Sequence, residues 1–352
     1  MKYRILLHPN HARTFFDKSG TLALAEWEAA RGQLSAPPEN GEIISAAGHP
    51  WLRFTMSACL TERDLAVLGD LSFTFLVFQA GEADSAALTP LDTPAPLMTP
   101  DMAALLKYTG KTNETFTRLL VNAARFAASG TGKASIVLDP LCGKATTLYC
   151  AAMLGLDGIG VEQHAGDVHD AAVFTKKYLE EAGCKHSVQT ETLRDRDNRK
   201  TGEGHIFRFS PDKDRWKAGE HQSLRLLTGD TRLCDHWLKR NAADCIVTDL
   251  PYGVQHAANT AGRAAASSAR REGPSRAPLI LLQSALPHWR AALRPGGAMA
   301  LGWNVHVLRR AALEETLRGN GFAVLPPPPG LETAHRVSQA IDRDYLVCIR
   351  EG

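Results

Sequence analysis

The chain has almost no surplus of charge. Its 40 Lys and Arg residues face 38 Asp and Glu, a formal net of +2. The overall field therefore does not point to a nucleic-acid partner, although a local basic face stays open. There is no CxxC pair. The seven cysteines are scattered without metal-ligand spacing, so neither a zinc site nor a disulfide framework is expected, and the thiols read as reduced, in a cytoplasmic protein. Cys150, Cys245 and Cys348 sit in apolar runs and are expected to be buried. No apolar stretch is long enough to cross a bilayer, so no membrane partner is expected. His8, Pro9 and Asn10 break the first apolar run, which argues against a signal peptide. There is no internal repeat, and neither the spaced glycines of a dinucleotide loop nor those of a P-loop occur. What is present is 352 residues, 44% hydrophobic and 22% charged, enough for one large or two ordinary domains with a substantial core.

Residues 1–80 read as a small α+β unit. Tyr3–Leu7, Gly41–Ile44, Trp51–Met56 and Phe73–Phe78 predict strands, and Thr21–Ala30 and Leu65–Leu68 predict helices. Pro90, Pro94, Pro96 and Pro100 punctuate residues 81–100, which read as an extended linker. From 101 to 352 strands and helices alternate, the pattern of a parallel α/β sheet. Strands are expected at Ser135–Leu138, Ile159–Val161, Leu224–Leu227, Cys245–Thr248 and Ala298–Trp303. Helices are expected at Phe116–Ala128, from Thr146, at Asp167–Glu181, Leu279–Leu293 and Val305–Arg318. Phe322–Leu325 and Tyr345–Ile349 read as a closing hairpin. Two insertions break the rhythm: 185–222, polar and mixed in charge, and 255–278, rich in Ala, Ser, Gly and Arg and expected to be a mobile loop.

Two motifs carry chemistry. Thr248-Asp249-Leu250-Pro251-Tyr252-Gly253 follows an apolar strand. An acid and a backbone carbonyl can accept hydrogen bonds from an exocyclic amine while the aromatic ring stacks on a flat base. Asp139-Pro140-Leu141-Cys142-Gly143-Lys144-Ala145-Thr146-Thr147 follows another strand and opens a helix, at the carboxyl end of the sheet where ligands bind. Asp139 is placed for the ammonium or ribose side of a cofactor, Glu162 for ribose hydroxyls, and Asp230 for an adenine amino group. Taken singly, each acid reads better as a helix cap or turn residue. At three successive strand ends they read as a cofactor site. Without phosphate-binding glycines, the ligand expected is S-adenosylmethionine, an adenosine without phosphate, and no metal is expected. Lys144, a loop lysine, reads as solvated.

The motifs together resemble the amino-methylating class I methyltransferases, whose first motif is Asp-Pro-x-Cys-Gly-x-Gly-Thr and fourth Asp/Asn-Pro-Pro-Tyr/Phe. More narrowly the chain resembles the tRNA guanosine N2-methyltransferases, many of which carry a THUMP domain. The stretch Asp249-Leu250-Pro251-Tyr252-Gly253-Val254, the helix from Phe116 to Ala124, and the segment from His335-Arg336-Val337 to Arg343-Asp344-Tyr345-Leu346-Val347 carry the likeness. It covers 101–352 and extends weakly to 1–80, similar to that family's N-terminal ferredoxin-like part, including Leu24-Ala25-Glu26-Trp27-Glu28. Two departures stand out. Ala145 replaces the usual glycine, and the linker at 81 leaves no room for a full THUMP domain.

The resemblance implies a Rossmann-like class I α/β fold, S-adenosylmethionine as cofactor and RNA, tRNA above all, as partner. Asp249, Leu250, Pro251 and Tyr252 would form the reacting centre. Cys142, Gly143, Thr147, Thr231 and Asp249 would join Asp139, Glu162 and Asp230 around the cofactor. Thr112 and Asn113 would lie over the cofactor's methionine end or the target nucleotide, or serve only as a helix cap. Arg118 and Asn122, one turn apart, would face the pocket or form a solvated helix face. The arginines Arg263, Arg270, Arg271 and Arg276 would close over a phosphate backbone or remain solvated. Two other functions fit the same motifs: a DNA methyltransferase acting on adenine N6 or cytosine N4, and a non-catalytic RNA-binding scaffold on a degenerate fold.

Overall fold

The computed structural model describes residues 1–9, 13–81, 87–99, 101–108, 110–128, 135–251 and 277–352. Tyr252, Gly253, nearly all of the 255–278 insertion and its four arginines lie outside the described residues. The chain divides into two compact units, Met1–Pro96 with Pro326–Asp344, and Leu97–Leu325 with Tyr345–Gly352.

The first unit runs β1 (Lys2–Leu7), α1 (Arg13–Ala30), β2 (Glu39–Ala46), β3 (His49–Thr55), α2 (Glu62–Asp70), β4 (Thr74–Ala80) and β5 (Leu88–Leu91). The first six elements form the βαββαβ order of a ferredoxin-like unit, and the antiparallel sheet is ordered β2-β3-β1-β4-β5. Strict alternation puts Tyr3, Ile5, Leu7, Leu52, Phe54 and Val77 on one buried face, as the two-residue strand period requires. Trp27 of α1 packs on that face, its ring 4.5 Å from Phe54. Thr61 caps α2 in a capping box, with the Thr61 hydroxyl accepting from the Asp64 amide and the Asp64 carboxylate accepting from the Thr61 amide. Three expectations change here. Helix α1 starts at Arg13 rather than Thr21. Residues 88–91, expected to be linker, form an edge strand, a place where Pro90 is tolerated because an edge position leaves one side of the backbone unpaired. Segment Pro326–Asp344, which the sequence assigns to the large domain, belongs to this unit and carries β14 (His335–Ser338).

The second unit contains α3 (Asp101–Leu105), α4 (Glu114–Ala127), β6 (Ile136–Asp139), α5 (Thr146–Met153), β7 (Asp157–Glu162), α6 (Ala165–Glu181), β8 (Lys185–Arg194), β9 (Lys200–Ser210), α7 (Lys213–Lys217), β10 (Gln222–Thr228), α8 (Cys234–Trp237), β11 (Ala243–Asp249), α9 (Ala277–Ala292), β12 (Leu293–Asn304), α10 (Arg310–Gly319), β13 (Phe322–Val324) and the end of β15 (Ile341–Arg350). The sheet runs β13-β15-β12-β11-β6-β7-β10-β9-β8. Strands β12, β11, β6, β7 and β10 are mutually parallel. Strand β13 is antiparallel to β15, and β9 pairs antiparallel with both β10 and β8. This is a Rossmann-like α/β sheet, the fold expected from the resemblance. The chain leaves β6 toward β7 and β10 and later returns to its other side as β11 and β12, so the order reverses between β6 and β11. A crevice opens at such a switch point, at the carboxyl ends of the strands.

The parallel strands are buried on both faces, which explains their continuous apolar runs. Val137, Leu138, Cys245, Ile246 and Val247 are all 0% exposed. Leu138, Val161, Leu227, Ile246 and Leu301 share one cluster with Leu282 and Trp289 of α9. The insertion at 185–222 is not loose polar surface: β8 and β9 form a hairpin that widens the sheet beyond β10. Helix α10 begins at Arg310, five residues later than the pattern suggests. The expected closing hairpin is interrupted, since β14 lies in the chain between the paired strands β13 and β15.

Glycines set the strand spacing near the crevice. A Cβ added at Gly160 of β7 would lie 2.6 Å from Cys142 Sγ and 3.1 Å from Leu148 Cδ2. Gly160→Ala is therefore expected to cost about 1–3 kcal/mol by overpacking, measured as a drop in urea midpoint at unchanged m-value.

Candidate active site

The loop after β6 is held from beneath. The Cys142 amide donates to the Val161 carbonyl at 3.0 Å, and the Ala145 amide donates to the Cys142 carbonyl at 2.8 Å. Ala145 then takes the left-handed conformation, φ 69° and ψ 25°, just before α5, where its side chain is fully buried. That conformation costs an L-residue roughly 1–2 kcal/mol relative to the right-handed region, which explains why glycine is usual there. The alanine does not close the loop. Gly143, at φ 49°, has nothing within 4 Å of an added Cβ, so its backbone borders open space.

Asp139 ends β6 and is 3% exposed. Its Oδ1 accepts from the Leu141 amide at 3.0 Å. Burial pushes its pKa up to about 6, the hydroxyls of Thr147 and Thr248 beside it pull part of the way back, and the charge of Glu162 adds to the rise. Thr248 belongs to the second motif, so the two motifs meet at this carboxyl. Glu162 ends β7 and bridges two loops: Oε2 accepts from the Gly143 amide at 3.1 Å and Oε1 from the His164 amide at 2.8 Å. Each carboxylate oxygen keeps further lone-pair capacity.

Asp249 ends β11. Its Oδ2 accepts from the Thr112 hydroxyl at 2.8 Å. Gly302 of β12 lies against the carboxylate, for a Cβ there would sit 2.8 Å from Asp249 Oδ1. The Leu250 amide donates to the Gly302 carbonyl at 2.8 Å, which anchors the turn into Pro251. Thr112 thus brings the segment ahead of α4 onto the second motif. The same segment also touches the first: the Tyr108 hydroxyl is 3.0 Å from Thr146 Oγ1. Burial first, then the acids and Cys142 around it, push the Tyr108 pKa up to about 12, so the phenol stays protonated. The Lys144 ammonium lies 5.6 Å from the Tyr108 ring centre.

Other expected site residues are otherwise engaged. Asn113 caps α4, its Oδ1 accepting from the Phe116 amide at 3.1 Å. Cys142 turns its sulfur onto Gly160 rather than toward the crevice. Thr231 is buried and accepts from the Trp289 indole at 2.7 Å, a core contact. Asp230 caps a short 3-10 turn and receives Arg232 Nε at 2.9 and 3.0 Å on its two oxygens. Burial raises the Asp230 pKa, but the hydrogen bonds and charge of Arg232 outweigh it and hold the carboxyl below the usual range. Arg118 lies close enough to Cys150 of α5 for its charge to act on that thiol. Lys144 is ion-paired with Asp170 and with Asp167 at 3.6 Å, not merely solvated. Thr146 and Thr248, members of the two motifs to which no role was given, join the site, as do Tyr108 and Gly302. Tyr108 and Thr146 are 38 residues apart, beyond any local pattern.

The strand ends therefore present carboxylates, and the nearby cations Lys144 and Arg232 are held in ion pairs. A polyphosphate cofactor would face these acids unscreened. A cofactor with an adenosine, an ammonium and a sulfonium but no phosphate fits, with Asp139 and Glu162 as the acids best placed to hold it. Among the described residues no group of His, Cys, Asp and Glu has the arrangement of a metal site, and no helix is long and apolar enough to cross a membrane.

No family model matches the chain, and no curated protein matches it. Solved structures of similar shape include TrmN from Thermus thermophilus, 14% identical, covering 99% of this chain and 99% of that one at a TM-score of 0.45. A TehB-like SAM-dependent methyltransferase from Corynebacterium glutamicum is 12% identical over 66% of this chain and 85% of that one, with a TM-score of 0.33. Ribosomal protein L11 methylase from Lactobacillus delbrueckii subsp. bulgaricus is 12% identical over 68% and 78%, at 0.36. At these identities and scores they add nothing on activity; the fold stands on its strand order.

The raised Asp139 pKa has a sign that can be measured. A carboxyl that holds its proton more tightly folded than unfolded, about 6 against about 3.9, loses stability as pH rises through that window. The loss amounts to about 3 kcal/mol above it. Asp139→Asn is expected to raise ligand-free stability relative to wild type at pH 7.5 and much less at pH near 4, by urea denaturation. An equal effect at both pH values would contradict this. Ala145→Gly is expected to change stability by less than about 1 kcal/mol, because relief of the left-handed conformation is offset by greater unfolded-chain freedom.

Proposed function

We propose that the protein is an S-adenosylmethionine-dependent methyltransferase acting on the exocyclic N2 amine of guanosine in RNA, with tRNA as the substrate class. The seven cysteines, all free thiols, suit a cytoplasmic enzyme. The observation that carries this reading is the junction of the two motifs. Asp249, held by Thr112 and lodged against Gly302, ends β11, the strand paired with β6, at whose end buried Asp139 lies.

Bound at the strand ends, the cofactor supplies an electrophilic methyl group. The chain's own residues position the acceptor and manage its proton. The amine lone pair of guanine is delocalised into the ring, so the nitrogen is a weak nucleophile. Two hydrogen bonds from the amine, to the Asp249 carboxylate and to the Leu250 carbonyl, favour a tetrahedral nitrogen with its lone pair outward. Asp249 then accepts the displaced N–H proton and passes it to water. Thr112 fixes the carboxylate by donating to Oδ2. Pro251 lacks an N–H and limits the turn, and Tyr252 is assigned the stacking face. A base must leave its stack to reach such a site, at a cost of a few kcal/mol that unpaired RNA largely avoids. Positioning supplies much of the remaining acceleration.

Asp249→Asn is expected to lower kcat on RNA by about 10²–10⁴, while calorimetry still detects cofactor binding. Thr112→Val is expected to lower kcat by about tenfold through loss of a hydrogen bond to a charged group. Nucleoside mass spectrometry of the product should show N2-methylguanosine. Full activity of Asp249→Asn would contradict the assigned role.

A further inference from the structure

Three arginines of the second unit gather at the amino ends of the parallel strands, opposite the crevice. Arg240 lies just ahead of β11, Arg290 near the end of α9, and Arg350 at the end of β15. The seven-residue length of β11 puts them roughly 20 Å from Asp249. Arg350 is 4% exposed. Its Nη1 donates to Asn241 Oδ1 at 2.9 Å and to the Leu293 carbonyl, while its buried Nε has no acceptor. Arg290 donates through Nη2 to the Glu351 carbonyl at 3.0 Å and to an oxygen of Gly352 at 3.1 Å. Its Nε is also buried without an acceptor, and the turn after α10 closes on it, since a Cβ at Gly321 would lie 2.9 Å away. Among the described residues no Asp or Glu side chain pairs with any of the three. Arg225, Arg232 and Arg294 of the same unit, by contrast, each hold an acid. Burial first, then the like charges of Arg290 and Arg240, hold the Arg350 pKa below its ordinary value. Guanidinium stays charged even so, and a buried cation without an anion is costly. Water can satisfy a donor but not the charge.

We propose that Arg240, Arg290 and Arg350 form a binding site for a phosphate group, separate from the strand-end crevice. Guanidinium forks match phosphate oxygens in pairs, and a phosphate dianion answers more of the three charges than a single carboxylate does. Arg240 and Asn241 are exposed and Arg290 partly so, which gives the anion its entry. Arg350, fixed by Asn241 and Leu293, is the buried member. The site stands whether or not the chain transfers methyl groups.

The test is calorimetric titration of the full chain with inorganic phosphate at constant ionic strength. The variants are Arg240→Gln alone and together with Arg290→Gln. Arg350 is left in place because it holds Asn241 and Leu293. Lys177→Gln, at an exposed position of α6, removes a charge elsewhere. Circular dichroism confirms that each is folded. Wild type and Lys177→Gln are expected to bind one phosphate with equal affinity, Arg240→Gln about tenfold more weakly, and the double variant not measurably. Uridine 5′-monophosphate and a short RNA oligonucleotide without terminal phosphates then compete with inorganic phosphate. Displacement by the monophosphate alone identifies a small phosphate ester as the occupant. Displacement by the oligonucleotide, lost in the double variant, identifies a backbone phosphate. No saturable phosphate binding by wild type, or equal affinity in the folded double variant, would overturn the site. So would an equal loss in Lys177→Gln, since the binding would then follow net charge alone.

Discussion

The carboxyl of Asp139, buried at the point where the sheet reverses its order, is the constraint on which the site depends. A carboxylate almost without solvent is costly, and the fold meets part of that cost with the Leu141 backbone amide. What remains is visible in its raised pKa. A cation seated beside it would recover the rest. Glu162 on the neighbouring strand adds to the same negative field, and Lys144 and Arg232 nearby are tied to acids of their own. The crevice is thus prepared electrostatically for a positively charged, phosphate-free ligand before any ligand arrives.

Local geometry keeps that crevice open. Gly160 lets the first loop settle against β7, Ala145 accepts a left-handed turn that glycine would take more easily, and Gly302 leaves room for the Asp249 carboxylate. Each is a small residue where a larger one would push backbone or carboxylate out of place. Thr112 and Tyr108 then draw the segment before α4 across both motifs. Asp249 is consequently tied to that segment directly through Thr112, and the loop after Asp139 through the Tyr108 contact to Thr146.

The sequence made much of this legible, and the reasons are physical. Strands buried on both faces leave apolar runs, so β6, β7, β10, β11 and β12 and the acids at their ends could be read directly. The βαββαβ order of the first unit followed from alternation. Other features depend on partners far away in the chain. Strand β5 carries Pro90 and was hidden among prolines that look like a linker. The β8–β9 hairpin is polar on its exposed face, so its charges disguised the pairing with β10. Nothing local marks Tyr108 as the partner of Thr146. Nor does the motif around Asp230 reveal that Arg232, two residues on, will occupy both its oxygens. Asn113 serves as the helix cap that its position allowed, and Cys142 sets its sulfur against Gly160, which no local pattern announced.

The central claim is that the junction of Asp139 and Asp249 transfers a methyl group to an exocyclic amine of RNA. Its most direct measurement is incubation of the purified protein with methyl-labelled S-adenosylmethionine and separate pools of tRNA, rRNA and DNA, followed by nucleoside analysis. Label is expected in tRNA as N2-methylguanosine. Label confined to DNA as N6-methyladenine, or no transfer to any pool by protein that binds the cofactor, would contradict it.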